Sequence, residues 1–197
     1  AREAQIQLSL ERIRAKSMSM QHSDELSNFL TVVFEQFDVL NLKPIYCNLT
    51  FFDIDNNRST YRMTGKKGFT LIATQVIDLD ASPVWKQQIE EWKAGRPNEV
   101  DVLYIPFESL PEITEIFKEI LEKLPEDECP FPEDFPNGQY IIEGYCKYGY
   151  IGYSAIQPPS DEEKEITRRI ATEFGNVYQR FIDLQKAEAQ EIGRAHV

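Results

Sequence analysis

No apolar run in this 197-residue chain approaches the roughly 18 residues that a membrane span requires, and the first residues hold no apolar core of a secretory signal. Both gaps predict a cytoplasmic domain without direct membrane contact. Basic charge is scarce: 21 Lys and Arg stand against 33 Asp and Glu, a net charge of −12. Nucleic acids and anionic lipid surfaces are bound through clustered cations, so this balance argues against both as partners. The three cysteines, Cys47, Cys129 and Cys146, are odd in number and far apart, which suits a reducing compartment better than a disulfide framework. Histidine occurs twice. His196 lies in the terminal GRAHV, read as a cloning remnant, which leaves His22 for any triad, and no GxSxG elbow supplies a nucleophile. No CxxC or HExxH offers a zinc site, and GKKG at Gly65–Gly68 lacks the pattern of a phosphate loop. The sequence therefore assigns no catalytic residue and no metal ligand, and it names no cofactor.

Two short motifs fail for chemical reasons. HSDEL at His22 has the His, acid and Leu of a histidine-kinase phosphoacceptor box, but the acid is displaced by one position and no Pro follows. A histidine at a helix start is the simpler reading. DIDNN at Asp53–Asn57 begins like a calcium loop, yet Arg58 stands where an EF-hand needs Gly and Thr64 where it needs Glu. A hairpin turn fits better. Catalysis by carboxylates such as Asp53 and Asp55 would need a cleft that perturbs them, and nothing in the sequence indicates one.

What the chain does have is 42% apolar and 12% aromatic residues, enough at this length for one well-filled core. Ile6, Leu10, Ile13 and Met20 recur at spacings of four, three and seven, with Ser17 in the missing position. That a/d stripe predicts a coiled-coil helix over 1–22 whose apolar seam pairs with a second copy, in preference to docking on its own domain. A second helix follows, with Ser23 as N-cap and Leu26, Phe29, Leu30, Val33, Phe34 and Phe37 on one face. Then come strands on both sides of the turn at Asp55–Asn57 and a third in FTLIATQVIDL. The first strand is apolar on both faces, with Ile45, Cys47, Leu49 and Phe51 on one and Tyr46, Phe52 and Ile54 on the other, so both faces should be covered.

Ser82 and Pro83 start a helix carrying Trp85, Ile89 and Trp92, and Gly95 ends it. VDVLYIPF is a fourth strand. Ser109 and Glu112 have capping-box spacing before a helix bearing Ile113, Ile116, Phe117, Ile120 and Leu124. LPEDECPFPEDFPNG, with Pro125, Pro130, Pro132 and Pro136, must be a loop. A hairpin turning near Tyr148–Gly149 precedes a long helix that begins at the capping box Ser160–Glu163 and runs through QKAEAQ. Tyr46, Asn48, Thr50, Phe52, Tyr61, Tyr104 and Tyr145 of the sheet, closed by the helix of Trp85 and Trp92, would line a small-molecule cavity. The same aromatics could instead fill the core themselves.

Three segments resemble one family. AREAQIQLSLERIRAKSMSMQHSDEL is similar to the linker and first helix of GAF-like sensory domains found in tandem in bacterial signalling proteins, many of which end in a histidine kinase. SPVWKQQIEEWKAGRP resembles their middle helix, and ITRRIATEFGNVYQRFIDLQKAEAQ their exit helix, which runs into the next such linker. The resemblance implies an α+β fold, with a central antiparallel sheet of about six strands and the leading and exit helices packed on one face. It implies a linker helix over 1–22, a sensory domain over 23–183, and the exit-helix end over 184–197. It also implies a two-component role with neighbouring sensor and kinase domains as partners, and a homodimer through the terminal helices. The alternative is a ligand-free spacer. The signature of cyclic-nucleotide-binding members is not recognisable, and no cysteine has the context of a bilin attachment site.

Overall fold

The computed structural model describes residues 1–95 and 99–195; His196 lies outside them. Helices α1 (Arg2–Ser19) and α2 (Leu26–Val39) lead into strands β1 (Tyr46–Asp53), β2 (Arg58–Thr64) and β3 (Ile72–Asp78). Helix α3 (Pro83–Lys93), strand β4 (Val100–Ile105) and helices α4 (Leu110–Ile116) and α5 (Lys118–Leu121) follow. Strands β5 (Gln139–Cys146) and β6 (Gly149–Ala155) and helix α6 (Asp161–Ala195) complete an α+β fold. The six strands form one antiparallel sheet in the order β3-β2-β1-β6-β5-β4.

The two-sided character of β1 is used as its sequence requires. Cys47 and Leu49 join Ile142, Ile151 and Tyr153 in a core against α1, α2 and α6. Tyr46 joins Tyr61, Met63, Trp85, Ile89 and Phe135 in a second core against α3, α4, α5 and the Pro-rich loop. Both faces are therefore covered, with the leading and exit helices on the same face. Among the described residues no helix is long and apolar enough to cross a membrane.

Local signals place several ends. Ser82 Oγ accepts the N–H of Trp85 at 3.1 Å, and Ser160 and Glu163 form the reciprocal box at 3.2 and 2.6 Å. Two expected caps differ. Ser109 makes no side-chain cap, because a 3₁₀ turn over Phe107–Ser109 precedes α4. Ser23 instead bonds the Glu188 carboxylate at 2.6 Å, and Glu25 caps the backbone N–H groups of Gln21 and His22. The helix expected to run through Leu124 breaks at Phe117. Gln75 of β3 bridges the gap, donating to Ile116 O at 2.9 Å and accepting from Ile120 N at 3.0 Å.

The expected seam requires correction. Ile6 and Leu10 are each 5% exposed, and Ile13 and Met20 are fully buried, all within the core this chain builds with α2 and α6. The stripe is satisfied inside one molecule, so these four residues are not free to meet a second copy. Polar contacts fix how α1 lies on α6: Arg2 to Glu162, Glu3 to Arg169, Arg14 to Glu173 at 2.6 Å, Ser17 to Val177 O, and Arg180 to Met20 O. Partner numbers rise together, so the two helices are parallel. Beneath them β5 and α6 touch closely, since a Cβ on Gly144 would stand 2.5 Å from that of Ala171.

Candidate functional site

Alternation along the strands sends even-numbered residues of β1 and β6 and odd-numbered residues of β2 and β5 to the face covered by α3. At one end of this face Tyr46 and Tyr61 meet Phe135, Phe117 and Trp85. The Tyr46–Phe135 rings are 6.4 Å apart edge-on, and Tyr61–Phe117 are 4.6 Å apart. Gln139 Nε2 donates to Tyr46 Oη and Ser154 Oγ, each at 2.7 Å. At the other end Phe52, Trp92, Tyr145 and Tyr150 cluster with centroid distances near 5 Å. Trp92 Nε1 donates to Cys146 O at 2.9 Å, and the Tyr150 hydroxyl donates to Gln88 O. These bonds hold α3 on the sheet.

Between the clusters lies a group that the sequence reading missed. Glu143 of β5 is 5% exposed. Its carboxylate accepts from Asn48 Nδ2 at 2.6 Å and from Gln88 Nε2 at 3.1 Å. Desolvation raises its pKa from 4.5 to about 7; the amide of Asn48 opposes that rise, and Asp101 of β4 adds to it. Besides these, Tyr46, Tyr61 and Tyr150 face it from β1, β2 and β6, and burial raises the pKa of all three phenols. α4 presents only Ile113 and Ile116 to the cavity that Glu143 lines. Asn48 Oδ1 and Trp85 Nε1 are buried without a partner. The signal was legible in QYIIEGYC, an acid at the same strand parity as Ile141 and Tyr145.

Seven of the eight expected ligand residues share this face: Tyr46, Asn48, Thr50, Phe52, Tyr61, Trp85 and Tyr145. Tyr104 does not. β4 pairs Tyr104 with Tyr140, whose ring packs against the helix-side core, so Tyr104 points to that side. It is 47% exposed and donates to Asn137 O at 3.0 Å. VDVLYI is apolar at both parities, and the inward residues are Leu103 and Ile105. Among the described residues the seven that share the face line no single chamber: one cavity of about 40 Å³ lies beside Tyr46 and Gln139, and another of about 40 Å³ beside Trp85 and Glu143. Both are lined by Tyr61, Ile113 and Phe117, which form the wall between them. Each has room for about three waters, against the several hundred Å³ of a drug-sized pocket.

The Pro-rich loop over 125–138 closes the end near Tyr46. The GKKG turn clasps it: Lys66 pairs with Asp134 at 3.0 Å, Lys67 pairs with Asp127 at 2.7 Å, and Lys66 N donates to Glu128 O at 2.8 Å. The carboxylates Asp53 and Asp55 lie on the exposed hairpin turn, where Asp53 accepts from the side chain of Asn56 at 2.8 Å. His22 is exposed, with its ring 3.6 Å from Glu188. Among the described residues no cluster of His, Cys, Asp and Glu is placed to hold a metal. Comparison of the chain with protein-family models gives no match, and comparison with curated proteins gives none either.

Proposed function

We propose that the chain is a non-catalytic sensory domain of the GAF type from a multi-domain bacterial signalling protein. In this role it holds a small ligand between the sheet and α3–α5 and carries the response along α1 and α6. The parallel packing of α1 on α6 is the observation that carries the proposal. Arg2 sits beside Glu162 at the start of α6, which runs on the order of 50 Å from there to Ala195. A neighbour joined ahead of α1 and another joined after α6 would sit at opposite poles, as beads on one string. β5 links the ligand face to the string, because Glu143 faces the ligand side and the adjacent Gly144 touches Ala171 of α6. A ligand that favours one position of β5 would bias α6 directly, and coupling of about 1–3 kcal/mol suffices for a switch.

A second copy, in this proposal, meets the outward face of α1 rather than the Ile6–Met20 stripe. Leu8 and Met18 are 51% and 67% exposed there. The double variant Leu8→Glu, Met18→Glu is expected to sediment as a monomer where the parent sediments as a dimer, with circular dichroism unchanged. A dimer that survives both charges would rule this face out.

The ligand-free spacer is favoured by one observation, the near-complete filling of the aromatic face by its own side chains. Native mass spectrometry of protein purified from cell extract separates the two roles. A retained small molecule is expected for the sensor, and a bare mass in every preparation supports the spacer.

A further inference from the structure

Tyr61, Trp85 and Phe117 are mutually in contact, with ring centroids 4.6 to 6.0 Å apart. All three line the cavity of about 40 Å³ into which Glu143 also faces, and Glu143 is the single charged residue of that lining among the described residues. A buried glutamate is normally paired with a cation. Glu143 has only the amides of Asn48 and Gln88, and no ion pair reaches it among the described residues. Both amides are neutral donors, so among the described residues the negative charge has no counter-charge. Asn48 Oδ1, on the same amide that bonds the carboxylate, is a second buried acceptor without a donor. The site is therefore a buried carboxylate walled by π-faces, with one unpartnered N–H of its own at Trp85 Nε1 and no cation among the described residues of its lining.

We propose that the cavity bounded by Tyr61, Trp85, Phe117 and Glu143 receives a small organic cation, an alkylammonium head caged by the three rings against the buried carboxylate; resting on the sensory role proposed above, this names the class of ligand sensed. The ammonium supplies the positive charge that the described lining lacks and N–H donors aimed at the carboxylate, and ring faces attract such a head once it is desolvated. Size sets the limit. Room for about three waters admits a one- or two-carbon amine without rearrangement. A longer substituent would have to pass Phe117 into the neighbouring cavity. Gln75 holds the backbone on both sides of Phe117, so the ring rather than the helix is the part that turns.

Calorimetric titration with methylammonium and ethylammonium chloride at pH 8 tests this, with potassium chloride at matched ionic strength and ethanol as controls. Saturable binding is expected for the amines and for neither control. Glu143→Gln, which keeps shape and folds at least as well, is expected to weaken it by about tenfold or more. Phe117→Leu, which removes one ring and keeps apolar bulk, is expected to weaken it about threefold. Silence of the wild-type protein towards both amines, equal affinity in Glu143→Gln, or equal binding of ethanol would each overturn the assignment. Silent amines together with a neutral or anionic molecule retained in native mass spectrometry would remove the cation and leave the sensory role standing.

Discussion

Ile13→Asp is expected to unfold the domain, giving a chain with the circular dichroism of a disordered polypeptide rather than a folded monomer released from a dimer. Ile13 is fully exposed to its own core and not at all to solvent, at 0% accessibility, among residues of α2 and α6. Truncating a buried Ile costs about 2–5 kcal/mol through lost transfer energy and the cavity left behind. The aspartate adds a desolvated carboxylate among apolar side chains, which costs several kcal/mol more. The sum rivals the whole stability of a typical domain, about 5–15 kcal/mol. Ile13→Val at the same site should cost only about 0.5–1.5 kcal/mol and serves as the control. Urea denaturation monitored by tryptophan fluorescence gives both values. An Ile13→Asp protein that kept its cooperative transition and lost only mass in sedimentation would restore the seam and displace the packing described above.

The error about that stripe has a physical cause. Over the two heptads from Ile6 to Met20 a repeat of 3.5 residues drifts too little from 3.6 to separate a coiled-coil seam from a face docked on its own domain. The deciding contacts lie about 160 residues away in sequence, as in Arg14 to Glu173 and Ser17 to Val177, and local spacing cannot reveal them. Where the cause is local, the chain was readable. The Ser82–Pro83 start of α3, the Ser160–Glu163 box and the turn after Asp53 each depend on residues within a few positions of one another. The two-sided apolar character of β1 required two covered faces, and two cores stand there. The break at Phe117 was hidden because Gln75, more than forty residues earlier, causes it. Tyr104 was misplaced because an edge strand with apolar residues at both parities leaves its orientation to the pairing with β5. In the candidate site, aromatic residues drew attention and the decisive carboxylate did not, although its position in β5 marked it as inward.

Glu143→Gln is expected to make the protein more stable at pH 8 by about 2–3 kcal/mol and nearly neutral at pH 5. Burial raises the Glu143 carboxyl from 4.5 to about 7 in the folded chain, against the opposing hydrogen bond from Asn48 and with help from Asp101. Between those two values the folded protein keeps a proton that the unfolded chain has already released. Stability must then fall as pH rises through that window, and the loss is complete above about 7. At about 1.4 kcal/mol per pH unit, the interval from 4.5 to about 7 is worth about 3–4 kcal/mol in full, of which about 2–3 kcal/mol falls between pH 5 and pH 8. Glutamine carries no charge to desolvate, can still accept from Gln88, and brings an amide able to donate to the orphan Asn48 Oδ1. The other shifted groups do not imitate this. Glu3, Glu25, Asp127, Glu165 and Glu188 have lowered pKa values from their hydrogen bonds, so their contribution has the opposite sign and falls away below pH 5. Tyr46, Tyr61 and Tyr150, the phenols facing Glu143, are raised from an ordinary value of 10 and titrate far above the window. Denaturation midpoints of the two proteins should therefore lie close together at pH 5, separate up to about pH 7 and hold that separation to pH 8. Parallel profiles over that range would mean that Glu143 is already ionised in the folded state below pH 5, and with it would go the picture of a carboxylate waiting for a cation.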